Sequence, residues 1–226
     1  MLHGLPAILD TQAMYFVAQP ILDRQGGVFG HELLLRFKNY NNPAELLKIV
    51  RHLDLKSALD LHVCEMASQL TRLLDGEECW ILNLYAESLR IPDMQTAIYQ
   101  LANQMAPARL RLHVLEIEQV PDMPHLRKTL AAFHEAHIGV VLDIEQLALP
   151  CSQFLPFDLL RMPARPEQSE LWQVWLEAAQ VRGVPLLAYL VEREDLVYRL
   201  SLLGIDYLQG YAVRDDRILE LPKIQL

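Results

Sequence analysis

The chain has 226 residues, 52% of them hydrophobic and 22% charged, with a formal net charge of −9. That apolar share supports a sizeable core and excludes a disordered polymer, while the acidic balance excludes a general binder of nucleic-acid polymers, which needs a basic surface to neutralise phosphates. No run approaches the ~20 uninterrupted apolar residues of a membrane span, and no basic start followed by an apolar stretch marks a secretory signal, so membrane insertion is not expected.

In chain order, residues 1–13 read as an N-terminal extension. Two strands follow over 15–23 and 28–37, joined across Arg24-Gln25-Gly26-Gly27, a tight-turn signal that predicts an antiparallel hairpin. Helical periodicity then covers 44–53 and 57–74. A strand over 79–85 precedes a helix over 93–105, and a strand over 112–117 precedes a helix over 125–137. Strands over 139–144 and 158–162 come next, the second followed by a Pro163-Ala164-Arg165-Pro166 loop and a helix over 168–181. A strand over 185–190, a helix over 192–203 and a strand over 205–209 complete the pattern. Strand and helix in alternation call for a parallel sheet covered by helices. The three cysteines, Cys64, Cys79 and Cys151, are odd in number and widely spaced. They form neither a metal-site spacing nor a disulfide framework, which predicts packing roles in a reducing cytoplasm.

Each predicted strand from the second onward carries a polar residue towards its C-terminal end: Glu32, Asn83, Glu116, Asp143, Arg161, Tyr189 and Gln209 in turn. An open sheet would spread these along a line, whereas a barrel gathers them at one mouth, where active sites of such barrels are built. The expectation is therefore a single α/β domain over 1–226, a TIM-like (β/α)8 barrel that starts with an antiparallel hairpin. Individually these residues have plain structural readings. Glu32 can pair with Arg36, Asn83 can form a strand-end turn, and Glu116 and Asp143 can accept from loop amides.

The motifs in order resemble the EAL domain family, bacterial phosphodiesterases that linearise cyclic di-GMP. Gln19-Pro20-Ile21 is similar to the family's early Gln-Pro-Ile element, and Gly30-His31-Glu32-Leu33-Leu34-Leu35-Arg36 to its signature segment. Leu82-Asn83-Leu84, Leu115-Glu116-Ile117 and Val141-Leu142-Asp143 match three further strand ends, and Asp206-Tyr207-Leu208-Gln209-Gly210-Tyr211 matches the C-terminal Gln-Gly-Tyr element. The opening from Phe16 to Gly26 most resembles a divergent branch often fused to a regulatory HDOD domain.

The resemblance implies chemistry with two divalent cations, held by oxygen donors suited to Mg²⁺ or Mn²⁺. Glu32, Asn83, Glu116 and Asp143 would be the ligands of one ion. The family's second loop aspartate is here Ile144, its lysine is Arg161 and its strand-end glutamate is Tyr189. Ile144 has no lone pair for a metal, and an arginine cannot accept a proton near neutral pH. Loop support changes too, with Glu118-Gln119 and Glu145-Gln146 in place of Thr-Glu and Phe-Gly. Ligand contacts carry over differently: Arg36 would grip a phosphate, Leu34 would pack beneath a guanine, and Gln19 and Gln209 would lie near base and ribose, with Arg161 a second phosphate clamp. The expectation is a degenerate, non-enzymatic EAL barrel that receives cyclic di-GMP or docks onto an unidentified protein partner, the 57–74 helix being a candidate surface. It requires no cofactor and leaves room for a single Mg²⁺ or Mn²⁺. The alternatives are a weak metal-dependent phosphodiesterase and a purely protein-binding regulator with a vestigial pocket.

Overall fold

Residue alternation explains most of the sheet. A computed structural model describes residues 13–38, 42–73, 76–148, 154–213 and 217–219. β1 (Met14–Asp23) and β2 (Val28–Phe37) form the expected antiparallel hairpin, with Gln19 opposite Glu32 and Val17 opposite Leu34. At its tip Asp23 Oδ1 accepts from the backbone N–H groups of Gln25 (2.8 Å) and Gly27 (2.9 Å). Gly26 takes φ +81°, a left-handed conformation that a side chain disfavours.

Strands β3 (Cys79–Tyr85), β4 (Leu110–Leu115), β5 (Gly139–Asp143), β6 (Leu159–Pro163), β7 (Leu186–Tyr189) and β8 (Tyr207–Gln209) then add to β2 in parallel. The barrel closes where β8 pairs antiparallel with β1, Gln209 lying opposite Ile21. A short β9 (Arg217–Leu219), absent from the sequence expectation, continues along β1 at Phe16–Ala18. Helices α1 (Pro43–His52), α2 (Lys56–Leu70), α3 (Pro92–Met105), α4 (Met123–Glu135), α5 (Trp172–Arg182) and α6 (Glu194–Leu203) cover the outside.

Elements agree with the sequence in kind and order, and differ at their ends. The fourth strand runs two residues earlier than expected, ending at Leu115 and leaving Glu116 outside. Pro163, expected in a loop, closes β6, and the next N–H, that of Ala164, donates to the Tyr189 carbonyl of β7 (2.7 Å). Residues 168–171, expected to open a helix, belong instead to a 3₁₀ segment over Pro166–Leu171. Leu74 and Cys151 lie outside the described residues, as does nearly all of the 1–13 extension. Among the described residues no helix is long and apolar enough to cross a membrane.

Inside the barrel, residues of one parity make two layers. Ile21, Ile81, Val141, Leu159 and Leu187, one from each of five strands, form an apolar floor with exposures of 0–1%. Two residues on in β3, β5, β6 and β7 stand Asn83, Asp143, Arg161 and Tyr189, and the antiparallel β1 contributes Gln19 at the same level. A larger core fills the space between sheet and helices, so the polar layer is held from below and outside by close-packed side chains.

Candidate functional site at the barrel mouth

Six strands deliver a connected polar cluster. Glu32, 4% exposed on β2, receives three hydrogen bonds. Asn83 Nδ2 (2.8 Å) and Arg161 Nη1 (3.1 Å) donate to Oε1, and Gln209 Nε2 donates to Oε2 (2.6 Å). A carboxylate only accepts, so Asn83 must present its amide nitrogen to Glu32 and its oxygen to the other side. That oxygen lies 2.6 Å from His113 Nδ1, and His113 Nε2 lies 3.1 Å from Asp143 Oδ2. The chain Glu32–Asn83–His113–Asp143 is thereby continuous, and Arg161 spans it, its Nε 3.8 Å from Asp143 Oδ1 and its Nη1 2.9 Å from His113 Nδ1.

Burial alone would push both carboxyls upward. In Glu32 the charges of Arg161 and His113 and the bonds from Gln209 and Asn83 outweigh it and hold the group below the usual range. In Asp143 burial is likewise outweighed, by the charge and hydrogen bond of His113 and by Arg161. Burial works against the Arg161 cation too, yet Glu32 and Asp143 hold it above its usual value. The Tyr189 ring lies against the guanidinium, whose carbon is 4.5 Å from the ring centroid, a cation–π contact inside the site.

Glu116 is not in this cluster. It follows β4 with φ +56°, and its carboxylate meets Arg51 Nε (2.5 Å) on α1 and Lys56 Nζ (3.4 Å) on α2. Two cations on the covering helices and the left-handed turn aim it sideways, so the sequence placement of Glu116 beside Glu32, Asn83 and Asp143 is corrected. The interior position of β4 belongs to His113, which sequence reasoning passed over. The available signal was parity: His113 shares a face with Arg111 inside an apolar strand. Gln146 was also missed as a strap. Its Oε1 accepts from Asp143 N–H (2.9 Å) and its Nε2 donates to the Val114 carbonyl (3.0 Å), fixing the loop after β5. Ile144 is 5% exposed and packs in the core.

Above the cluster opens a cleft of about 510 Å³, solvent-open space included, lined in part by Gln19, Leu34, Arg161, Tyr189, Gln209 and Tyr211. Arg36 stands outside that lining, its Nη1 donating to the Leu35 carbonyl (3.1 Å) and not to Glu32. The rim is built tightly. Leu190 holds φ +62°, and a Cβ on Gly210 would lie 2.3 Å from the Val191 carbonyl oxygen. On the opposite helices, α2 packs against α3 and shows Glu65 and Gln69 to solvent, with Ser68 Oγ donating to Gln104 Oε1 (2.7 Å). Cys64 and Cys79 are buried free thiols, Cys79 pushed up to about 11 mainly by burial, so neither is a nucleophile near neutral pH.

The divalent ion that the resemblance implies does not fit these residues as they are arranged. A guanidinium lies between the two carboxylates, Glu116 is paired elsewhere, and among the described residues no group of three or more His, Cys, Asp or Glu is placed to hold a metal ion.

The family described as "EAL domain" matches residues 5–215. The cyclic di-GMP phosphodiesterase PdeF of Escherichia coli (strain K12) is 24% identical over 235 aligned positions, covering 94% of this chain and 31% of that protein, so the chain spans about a third of this relative. The PaMucR phosphodiesterase in its c-di-GMP complex superposes with a TM-score of 0.80 at 19% identity, covering 99% of this chain and 98% of that one. The FimX EAL domain of Xanthomonas citri, in complex with c-di-GMP, gives 0.76 at 20% identity, covering 94% and 92%.

Proposed function

Because the chain belongs to the EAL domain family, we propose that it is a signalling module that receives cyclic di-GMP at the barrel mouth without cutting it. One observation carries this reading: the position where the family has a lysine beside the attacking water holds Arg161, buried, bonded to Glu32 and held cationic. Such a group has no lone pair to take a proton from water. Glu116, Ile144 and Tyr189 weaken the case for hydrolysis further, since none of them offers a second ion a ligand in this arrangement.

Binding is supported separately. The residues that line the cleft include Gln19, Leu34 and Gln209. Amide groups and an apolar shelf are suited to a nucleobase, and Arg161 supplies positive charge at the base of the cleft. The acidic neighbours Glu32 and Asp143 are already neutralised in part by Arg161, which lowers the electrostatic cost of bringing phosphates near them.

Titration calorimetry with cyclic di-GMP, with and without Mg²⁺, tests the proposal. The expected result is micromolar or tighter binding that needs no metal, with the nucleotide recovered intact. Absence of binding would leave the protein-docking reading in its place. Metal-dependent appearance of linear pGpG, lost in Glu32→Ala, would establish the phosphodiesterase instead.

A further inference from the structure

We propose that a cavity at the N-terminal ends of β4, β5 and β6, at the opposite end of the barrel from the mouth, binds a small protonated oxyanion of the inorganic phosphate class.

The cavity is lined in part by Arg111, His134, His137, Gly139 and Asp158. Arg111 is half-buried at the start of β4 and shares the inward parity of His113. It lies across Gly139, where an added Cβ would stand 2.8 Å from its Cγ and 3.0 Å from its Nη1. Among the described residues the Arg111 guanidinium pairs with no carboxylate, and its Nε is buried without a hydrogen-bond acceptor. Its neighbours are the Phe29 ring, whose centroid is 5.5 Å from the guanidinium carbon, and the Cys79 thiol, which burial keeps protonated near neutral pH. A half-buried cation faced by a ring and a neutral thiol is incompletely balanced, and its planar fork is shaped to take an oxyanion from solution.

Two histidines extend the donor set. His137 follows α4 with φ +62°, a left-handed conformation that glycine commonly fills at a helix end and that a side chain disfavours. The backbone strain there accompanies an imidazole at the cavity wall. His134 Nδ1 lies 3.1 Å from Asp158 Oδ1, while Asp158 Oδ2 accepts from the Val140 N–H (2.8 Å). The negative end of the α4 dipole opposes an anion here, but the last carbonyls of α4 are taken up by the N–H groups of Ala136, His137 and Ile138. Asp158 sets the selectivity. Its carboxylate repels a bare anion, yet its oxygens have lone pairs beyond those the two present donors use, and a P–OH group can donate to one. Inorganic phosphate keeps a proton near neutral pH and sulfate keeps none, so the arrangement favours phosphate.

Amide NMR titration of the whole chain with inorganic phosphate at neutral pH, with KCl holding the ionic strength constant, tests the site. The amides of His137, Ile138, Gly139 and Asp158 are expected to shift together and saturate with a Kd of about 1 mM or tighter. Sulfate is expected to bind at least about tenfold more weakly. Asp158→Asn, which keeps an acceptor for the Val140 N–H, is expected to erase that preference. Arg111→Met is expected to abolish the saturable shifts. Should that variant not fold, His137→Asn, whose new side chain tolerates the left-handed backbone, is expected to weaken binding by about threefold or more. Absence of saturable shifts with phosphate overturns the proposal, as does equal affinity for sulfate in the wild type. A folded Arg111→Met or His137→Asn with wild-type affinity, or an Asp158→Asn that still prefers phosphate, overturns it as well.

Discussion

Asp60 on α2 is buried at the C-terminal end of β3, where the Tyr85 N–H donates to its Oδ2 (2.8 Å). Burial pushes its carboxyl up to about 7, against the hydrogen bond from Tyr85 and the charge of Lys56, which act downward. The contrast with Glu32 is instructive, since both carboxyls are buried. Glu32 touches a guanidinium directly and stays below its usual value, while at Asp60 burial dominates and the carboxyl rises. A proton held more tightly in the folded chain than in the unfolded one makes stability fall as pH rises through the interval between the two values. For Asp60 that interval runs from about 4, the unfolded value, to about 7, and three units at 1.36 kcal/mol each set an upper scale of about 4 kcal/mol. Asp60→Asn removes this dependence. Urea unfolding at pH 5 and pH 8 should show the wild type losing more stability than the variant on going to the higher pH. Equal losses in the two proteins would show that Asp60 does not titrate in this window.

At the level of elements, the connection from β8 to the cleft rim has little freedom. Gly210 follows Gln209 with φ +152°, and an added Cβ would lie 2.5 Å from Val191 N and 2.3 Å from Val191 O, both backbone atoms. The same stretch is pinned by Val191 N–H donating to the Gln209 carbonyl (3.0 Å) and by Ala212 N–H donating to the Val191 carbonyl (3.0 Å). Gly210→Ala must therefore move a backbone that two hydrogen bonds hold. The expected cost is about 2–5 kcal/mol from strain and overpacking together, seen as a lowered urea midpoint and as weaker cyclic di-GMP binding through displacement of Gln209 and Tyr211. A variant with wild-type stability and affinity would show that this rim rearranges freely.

Over the whole molecule, the barrel separates support from chemistry along its axis. The apolar floor of Ile21, Ile81, Val141, Leu159 and Leu187 draws each member from a different strand, so it is also what keeps those strands in register. Leu187→Ala opens a cavity one layer below Arg161 and Tyr189. It is expected to cost about 2–5 kcal/mol in global stability while leaving the mouth's hydrogen bonds in place. Chemical denaturation should therefore move clearly, and cyclic di-GMP affinity measured well below the midpoint should change little. Loss of affinity in proportion to stability would mean that floor and mouth are not separable.

The architecture was largely legible in the sequence because it depends on local rules. Period-two alternation in the strands, the Asp23–Gly27 turn and, Glu116 apart, the order of strand-end polar residues each express a preference within a few residues and survive in the fold. The set of polar residues facing the mouth was partly legible for the same reason, since Glu32, Asn83, Asp143, Arg161 and Gln209 occupy inward positions. What the chain alone did not disclose is how those residues pair. Arg161 bonds Glu32 across 129 positions of sequence, and not Arg36 within the same strand, because closure of the barrel brings β6 over β2. Glu116 leaves the cluster because one left-handed φ and two helix-borne cations, Arg51 and Lys56, redirect it, and His113 takes the interior place by parity. Local sequence thus determined the barrel and the residues that line its mouth. Only the tertiary structure determined that a guanidinium occupies the centre, because charge pairing in a buried site is set by which strands closure makes neighbours.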